Sequence, residues 1–173
     1  LNDIFVIQEI YGAETTTRIE NTTYGFNSNI TGNIGQIYDF TRNSNPILTI
    51  YDSAGIDTLD FSGWSTSSII DIGQGRFSSC NSMTNNIAIA FGCDIENARG
   101  GAGNDTIYGN ALNNILYGGA GNDELFGLGG DDTLNGGSNV DTAIVSGLRT
   151  AYTVTQTSTG VWSVAGPDGT DTL

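Results

Sequence analysis

The sequence predicts an all-β fold in which a β-sandwich runs into a parallel β-roll, with one short helix at the N-terminus. Three observations lead there. From Gly100 the chain falls into five consecutive nonapeptides, GGAGNDTIY, GNALNNILY, GGAGNDELF, GLGGDDTLN and GGSNVDTAI, starting at Gly100, Gly109, Gly118, Gly127 and Gly136. Their template is Gly-Gly-x-Gly-x-Asp-x-U-x, with U a large apolar residue, and it describes a solenoid whose repeats bury their apolar faces only by stacking. Upstream, the segments LDFSGW, SIIDIG and NIAIAFG alternate well enough to be half-buried strands. The composition agrees: 25 glycines beside 38% hydrophobic residues describe a folded chain whose glycines serve local backbone geometry.

The elements follow in order. In residues 1–14, Ile4, Ile7 and Tyr11, with Phe5 and Ile10 beside them, fall at helical spacing, Asp3 is placed to cap and Gly12 to terminate. Residues 15–99 turn to Thr, Asn, Tyr and β-branched residues in short runs, with Pro46 ahead of the strand ILTIYD, and form the β-sandwich part. Residues 100–145 are the roll. After Val145 the repeat is expected to stop, and 146–173 reads as a hairpin turning around 158–160 that caps the open end.

Charge narrows the partners. Nineteen acidic residues face five arginines and no lysine, so a net charge of −14 argues against nucleic acid and against an anionic membrane, and makes cations the natural partners. No apolar run approaches the roughly 20 residues of a transmembrane helix, so no membrane insertion is expected. No signal-peptide pattern opens the chain, so any export signal is expected elsewhere, and the ending at Leu173 reads as a truncation or cleavage. Cys80 and Cys93, the only cysteines, permit one disulfide, with two buried thiols as the alternative.

The repeat also points to a metal. Each nonapeptide divides into a six-residue turn and a three-residue strand, so nine residues make half a coil and the turns at Gly100, Gly118 and Gly136 stack. Glycines let the turn aim its carbonyl oxygens into the gap between stacked turns, and the aspartate closes that gap. Carbonyl and carboxylate oxygens suit Ca²⁺ ahead of Mg²⁺, and with no histidine and two cysteines, zinc and copper fit poorly. The aspartates Asp105 and Asp123 lie in full-consensus turns, and Asp123 with Asp141 comes next. Asn110, Leu112 and Asn114 degrade the second turn and weaken any site it shares with Asp132. The candidate ligands of the later turns are Gly130 and Asp132, then Gly136, Gly137 and Asp141. The inward U positions, Ile107, Leu116, Leu125, Leu134 and Ala143, are too few to order the roll by burial, so without calcium it should be largely disordered.

Such repeats resemble those of RTX proteins, which include toxins, lipases, epimerases and proteases. The stretches IQEIYGAETTTRIENTTYGFNSN (7–29) and IYDSAGIDTLDFSGWS (50–65), and the run at 95–105, resemble the C-terminal domain of serralysin-type secreted zinc metalloproteases over roughly residues 3–145. That resemblance implies secretion, and it makes the helix of 1–14 the end of a preceding protease domain. That domain would be the partner, and protein substrates would be met through the parent enzyme. It also implies ligands. Backbone oxygens of Arg18, Glu20 and Thr22 would join Asp52, Gly55 and Asp57 around one calcium. Asp57 or its neighbours, Asp60, the Asp94 carbonyl and Glu96 would hold a second. Gly101, Gly103 and Asp105, with Gly118, Gly119, Gly121 and Asp123, would hold a roll ion. Ala54 stands where the family often has glycine. Zinc would belong only to the absent N-terminal domain, because the family's His-Glu-x-x-His helix has no counterpart in a chain without histidine. The chain is therefore expected to be non-catalytic. The alternatives are a calcium-dependent adhesin or binding module, with Trp64, Trp162 and the tyrosines as its platform, and the RTX tail of another secreted enzyme.

Overall fold

The computed structural model describes residues 15–173. The helix expected over 1–14 lies outside the described residues. From residue 100 the nine-residue period becomes geometry, each half-coil delivering one strand to one of two facing sheets. Strands β8 (Thr106–Asn110), β10 (Glu124–Leu128) and β12 (Thr142–Ile144) run parallel in one sheet, and β9 (Ile115–Ala120) and β11 (Thr133–Ser138) in the other. Pairing joins residues two repeats apart: Ile107 lies beside Leu125, and Leu116 beside Leu134. These four apolar positions are buried in one core. Ala143 departs from expectation and is exposed, because β12 is the last rung of its sheet and no further strand covers it.

The same two sheets continue upstream. In one, β1 (Thr23–Gly25), β3 (Thr58–Asp60) and β7 (Asn97–Arg99) precede β9, and in the other β4 (Ile69–Asp71) precedes β8, all in parallel. The apolar column therefore runs Tyr24, Leu59, Ala98, Leu116, Leu134 on one side and Ile70, Ile107, Leu125 on the other. The two packed layers of residues 15–99 are thus continuous with those of the roll. Long loops between these early rungs add a third small sheet, β2 (Leu48–Ile50), β6 (Ile87–Ile89) and β5 (Phe77–Ser78). They also add an aromatic cluster in which Trp64 packs edge-on against Phe26 at 4.9 Å and lies over Phe40 at 6.2 Å. Trp64 is core packing there, whereas Trp162 is half-exposed.

Three local features differ from the sequence reading. A short helix, α1 (Gly32–Tyr38), stands where strands and turns were expected; it has seven residues and two glycines, too short to show a helical period. Its last residue, Tyr38, packs edge-on against Tyr24 at 5.1 Å. Cys80 and Cys93 are free, buried thiols and form no disulfide. Each sulfur instead meets its own donor at 3.2 Å, the Asn86 amide for Cys80 and the Asp52 N–H for Cys93. Finally, the expected hairpin, β13 (Thr153–Ser158) with β14 (Val161–Gly166), is followed by β15 (Gly169–Thr172), which pairs antiparallel with β14 and parallel with β11. The chain thus returns to the roll after leaving it at Val145.

Candidate metal centre

Immediately before each rung sits a side chain that ties it to the rung before. On one side of the roll, the Ser68 N–H donates to Asp105 Oδ1 (2.6 Å), the Asp105 N–H to Asp123 Oδ1 (2.8 Å) and the Asp123 N–H to Asp141 Oδ1 (3.0 Å). On the other, the Thr22 N–H donates to Asp57 Oδ1 (2.7 Å), the Asp57 N–H to Glu96 Oε2 (2.7 Å) and the Asn114 N–H to Asp132 Oδ1 (2.8 Å). In the roll the ladder uses Oδ1 of Asp105, Asp123, Asp132 and Asp141 and leaves each Oδ2 facing the first glycine of its own turn. Asp105 Oδ2 finds the Gly101 N–H at 2.7 Å. Asp123 Oδ2 and Asp132 Oδ2 find no donor, although these residues are only 1% and 2% exposed. A buried carboxylate oxygen without a donor or a cation is costly, so the turns lack a positive partner at those two points.

Carbonyl oxygens crowd the stacked turns: on the Asp132 side a Cβ on Gly130 would collide with the Leu112 carbonyl, and the stack that holds Asp123 shows three such contacts. A Cβ on Gly119 would collide with the Gly101 carbonyl, one on Gly121 with that of Gly103, and one on Gly137 with that of Gly119. Gly119 and Gly121 also hold φ of +113° and +125°, a conformation that a side chain would strain. Turns rich in carbonyl oxygens, with an unpaired carboxylate oxygen, fit a hard cation such as Ca²⁺. Among the described residues, no three acidic or thiol side chains group closely enough to hold a metal alone, so carbonyls would have to supply most of the coordination.

Upstream, Arg18, Glu20, Thr22, Asp52, Gly55 and Asp57 do come together. A Cβ on Gly55 would lie 2.7 Å from the Glu20 carbonyl and 2.8 Å from Asp57 Oδ1, and the Thr22 hydroxyl donates to the same Glu20 carbonyl. Asp52 accepts from the Tyr24 hydroxyl (2.6 Å) and pairs with Arg18 at 3.9 Å, while the Arg18 guanidinium also donates to the Tyr51 carbonyl. Next to this group, Asp57, Asp94 and Glu96 line a cavity of about 200 Å³ with Ser53, Ala54 and Gly55. Asp60 does not join them. It sits at the far end of β3, about 10 Å along the strand, where its carboxylate accepts from Asn27 (3.0 Å) and the Ser62 N–H (2.8 Å).

Burial shifts these acids in one direction. It pushes Asp57 up to about 7 and Asp132 up to about 6, and it raises Glu96, Asp105 and Asp123, the neighbouring carboxylates adding to each rise. Burial and like charge favour the protonated form of these carboxyls, and an added cation would favour the ionised one. Sequence reasoning passed over a second, outer ladder, in which the Asn122 N–H donates to Asn104 Oδ1, the Asp131 N–H to Asn113 Oδ1 and the Val140 N–H to Asn122 Oδ1. Its signal was available: asparagine recurs at the fifth place of the first three repeats.

Residues 13–149, well over half of the chain, match the family described as Peptidase M10 serralysin C terminal. The chain belongs to this family. It is 46% identical over 107 residues to a serralysin of Photorhabdus sp. (strain Az29), covering 62% of this chain and 22% of that protein. It is 46% identical over 111 residues to the metallopeptidase AprA of Pseudomonas marginalis, covering 64% and 23%, and 46% identical over 108 residues to serralysin B of Dickeya chrysanthemi, covering 62% and 22%. The chain thus spans less than a quarter of the curated relatives it matches and corresponds to a C-terminal part of serralysins. The serralysin match takes in both upstream groups and all five nonapeptides, and it ends before β13.

Proposed function

We propose that this chain is the calcium-binding, non-catalytic C-terminal module of a secreted serralysin-type zinc metalloendopeptidase, which folds on calcium after export and stabilises the N-terminal protease domain. The observation that carries the reading is the pair of donor-less buried oxygens, Asp123 Oδ2 and Asp132 Oδ2, inside turns walled by carbonyls. In the roll, Gly101, Gly103 and Asp105 with Gly118, Gly119, Gly121 and Asp123 would hold one ion, and Asp123 with Gly136, Gly137 and Asp141 another. Gly130 and Asp132 would serve the opposite side. Upstream, Arg18, Glu20 and Thr22 through their carbonyls, with Asp52, Gly55 and Asp57, form a further set, and Asp94 and Glu96 flank it. Asp60 stands apart from all of these, held by Asn27 and Ser62.

Calcium, when bound, supplies a double positive charge between stacked turns and accepts six to eight oxygens in flexible geometry. The chain's own residues do the rest: glycines bring carbonyls within reach, Oδ1 atoms hold the register, and Oδ2 atoms face the gap. Zinc chemistry, and contact with protein substrates, would lie in the N-terminal partner domain, since this chain has no histidine. Among the described residues no helix is long and apolar enough to cross a membrane. Modules that load calcium at 10⁻⁴ to 10⁻³ M work outside the cell, which ties folding to secretion.

The test is far-ultraviolet circular dichroism of the metal-free chain, verified by elemental analysis, titrated with calcium. Loss of β signal in EGTA and its recovery at millimolar calcium is the expected result. An unchanged spectrum would refute the reading.

A further inference from the structure

The carboxylate ladder does not end at Asp132. After the hairpin, residues 166–173 read Gly-Pro-Asp-Gly-Thr-Asp-Thr-Leu, with glycine at the first and fourth places of the nonapeptide template, aspartate at the sixth and an apolar residue at the eighth. From Gly169 onward the backbone follows the template, whereas at the first place a Cβ on Gly166 would meet the Tyr152 ring. The Asp132 N–H donates to Asp171 Oδ1 (3.2 Å), as the Asn114 N–H does to Asp132 Oδ1. The Thr172 N–H donates to the Asp132 carbonyl (2.8 Å), as the Thr133 N–H does to that of Asn114 (2.9 Å). The Thr170 N–H donates to Asp131 Oδ1 (2.8 Å), the outer-ladder bond that Asp131 makes to Asn113. A Cβ on Gly169 would collide with the Gly130 carbonyl, as one on Gly121 would with that of Gly103, and the Gly130 N–H donates to the Asp168 carbonyl at 2.8 Å. Leu173 packs on the core beside Leu134.

The direction of the unpaired oxygen selects the gap. A Cβ on the first glycine of a turn would touch two things: that turn's sixth-place side-chain oxygen, and the first-place carbonyl of the next turn in the stack. This holds for Gly100 (Asp105 Oδ2, Gly118 O), Gly109 (Asn114 Oδ1, Gly127 O) and Gly118 (Asp123 Oδ2, Gly136 O). The sixth-place oxygen therefore faces the following turn. A Cβ on Gly127 would likewise meet Asp132 Oδ2, which has no donor and belongs to a residue 2% exposed, although no carbonyl of the following turn, 166–171, is among its nearest atoms. The preceding turn offers an amide, since Asn114 Nδ2 donates to the Glu96 carbonyl and to Asn110 Oδ1. Asp168 is committed elsewhere through its side chain, accepting from the Tyr152 hydroxyl (2.8 Å) and the Ser146 hydroxyl (3.1 Å).

We infer that the turn 166–171 is a displaced sixth repeat which stacks on the turn 127–132 to make a calcium site, with Asp132 and Asp171 as its carboxylates and the Gly130 carbonyl, which faces Gly169, beside them. It lies beyond the stretch matched to the serralysin family and uses the hairpin 153–166 as an insertion between the fifth and sixth repeats. The ion would pin the C-terminal strands to the roll. This site rests on the calcium reading above.

The experiment counts calcium bound per 173-residue chain by native mass spectrometry and follows its midpoints by isothermal titration calorimetry. Asp171→Asn keeps an Oδ1 acceptor for the Asp132 N–H, as Asn114 does in its own rung, and removes the charge. It should bind one calcium fewer than the unaltered chain. Asp132→Asn should lose that same ion, and the double variant no more than the singles. A full complement at unchanged midpoints for Asp171→Asn, or two ions lost in the double variant, would overturn the inference. With either result, loss of ions in Asp123→Asn would leave the calcium reading standing. An unaltered chain that binds no calcium would defeat both.

Discussion

The stretch 15–99 and the roll of 100–145 build the same object from different amounts of chain. In both, a side chain before each strand accepts the N–H of the preceding rung, and one residue per strand enters a common apolar column. Successive rungs are 35 and 39 residues apart upstream, from Thr22 to Asp57 and from Asp57 to Glu96, and 18 apart in the roll. The long loops carry a core of their own, with Phe40, Ile50, Phe61, Ile72, Ile87, Ile89 and Ile95 buried. The short turns carry glycine and asparagine, and each roll rung but the last, β12, adds a single buried leucine or isoleucine. Apolar burial can therefore do more to hold the first region, while the second has less of it and relies more on its backbone ladder.

The largest test of that contrast is hydrogen exchange with and without EGTA. Amides of 106–138 should lose most of their protection on calcium removal, and those of β2, β3 and β6 should keep more of theirs. Equal loss in both regions would show that the upstream loops are no more self-sufficient than the turns. A smaller effect separates two aspartates within the roll. Asp123→Ala should raise the calcium midpoint for folding about tenfold, near 1.4 kcal/mol, because both ladder neighbours of Asp123 are carboxylates. Asp132→Ala, flanked by Asn114 and Asp171, should raise it less. Identical midpoints would break the difference between the two faces.

The smallest expected effect is that of pH. In the metal-free chain, burial raises the folded-state values of Asp57 to about 7 and Asp132 to about 6, above the ordinary carboxylate range near 4. Groups raised in this way favour the folded chain when protonated. Their contribution is complete below about pH 4 and is lost as pH rises through about 6 to 7. In EGTA the region that stays folded, which holds Asp57, should therefore melt at a higher temperature at pH 5 than at pH 7.5, whereas Asp132 adds to this only to the extent that the roll remains folded. Calcium competes with those same protons, so its affinity should rise over the same interval. Melting that is independent of pH in EGTA would show that these carboxyls do not sense burial.

Much of this was legible because the information is local. A turn glycine, its aspartate and its apolar partner lie within nine residues, so the roll and the equivalent ladder positions of Asp105, Asp123 and Asp141 follow from reading the repeat. The sixth turn hid behind an inserted hairpin, which separates Asp132 from Asp171 by 39 residues and breaks the period. The helix α1 hid because seven residues with two glycines carry no helical pattern.

By itself, the sequence determined the all-β class, the coil period, the oxygen-rich character of the turns and the absence of a histidine-based zinc site, since each depends on residue types at short spacing. Only the tertiary structure decided matters that depend on where distant segments meet. Cys80 and Cys93 stay apart as thiols because each sulfur faces its own donor. Asp57 joins Glu96 while Asp60 does not, because a three-residue strand places them at opposite ends. Ala143 is exposed while Leu134 is buried, because β12 has no further rung above it and β11 is covered by the returning strand β15.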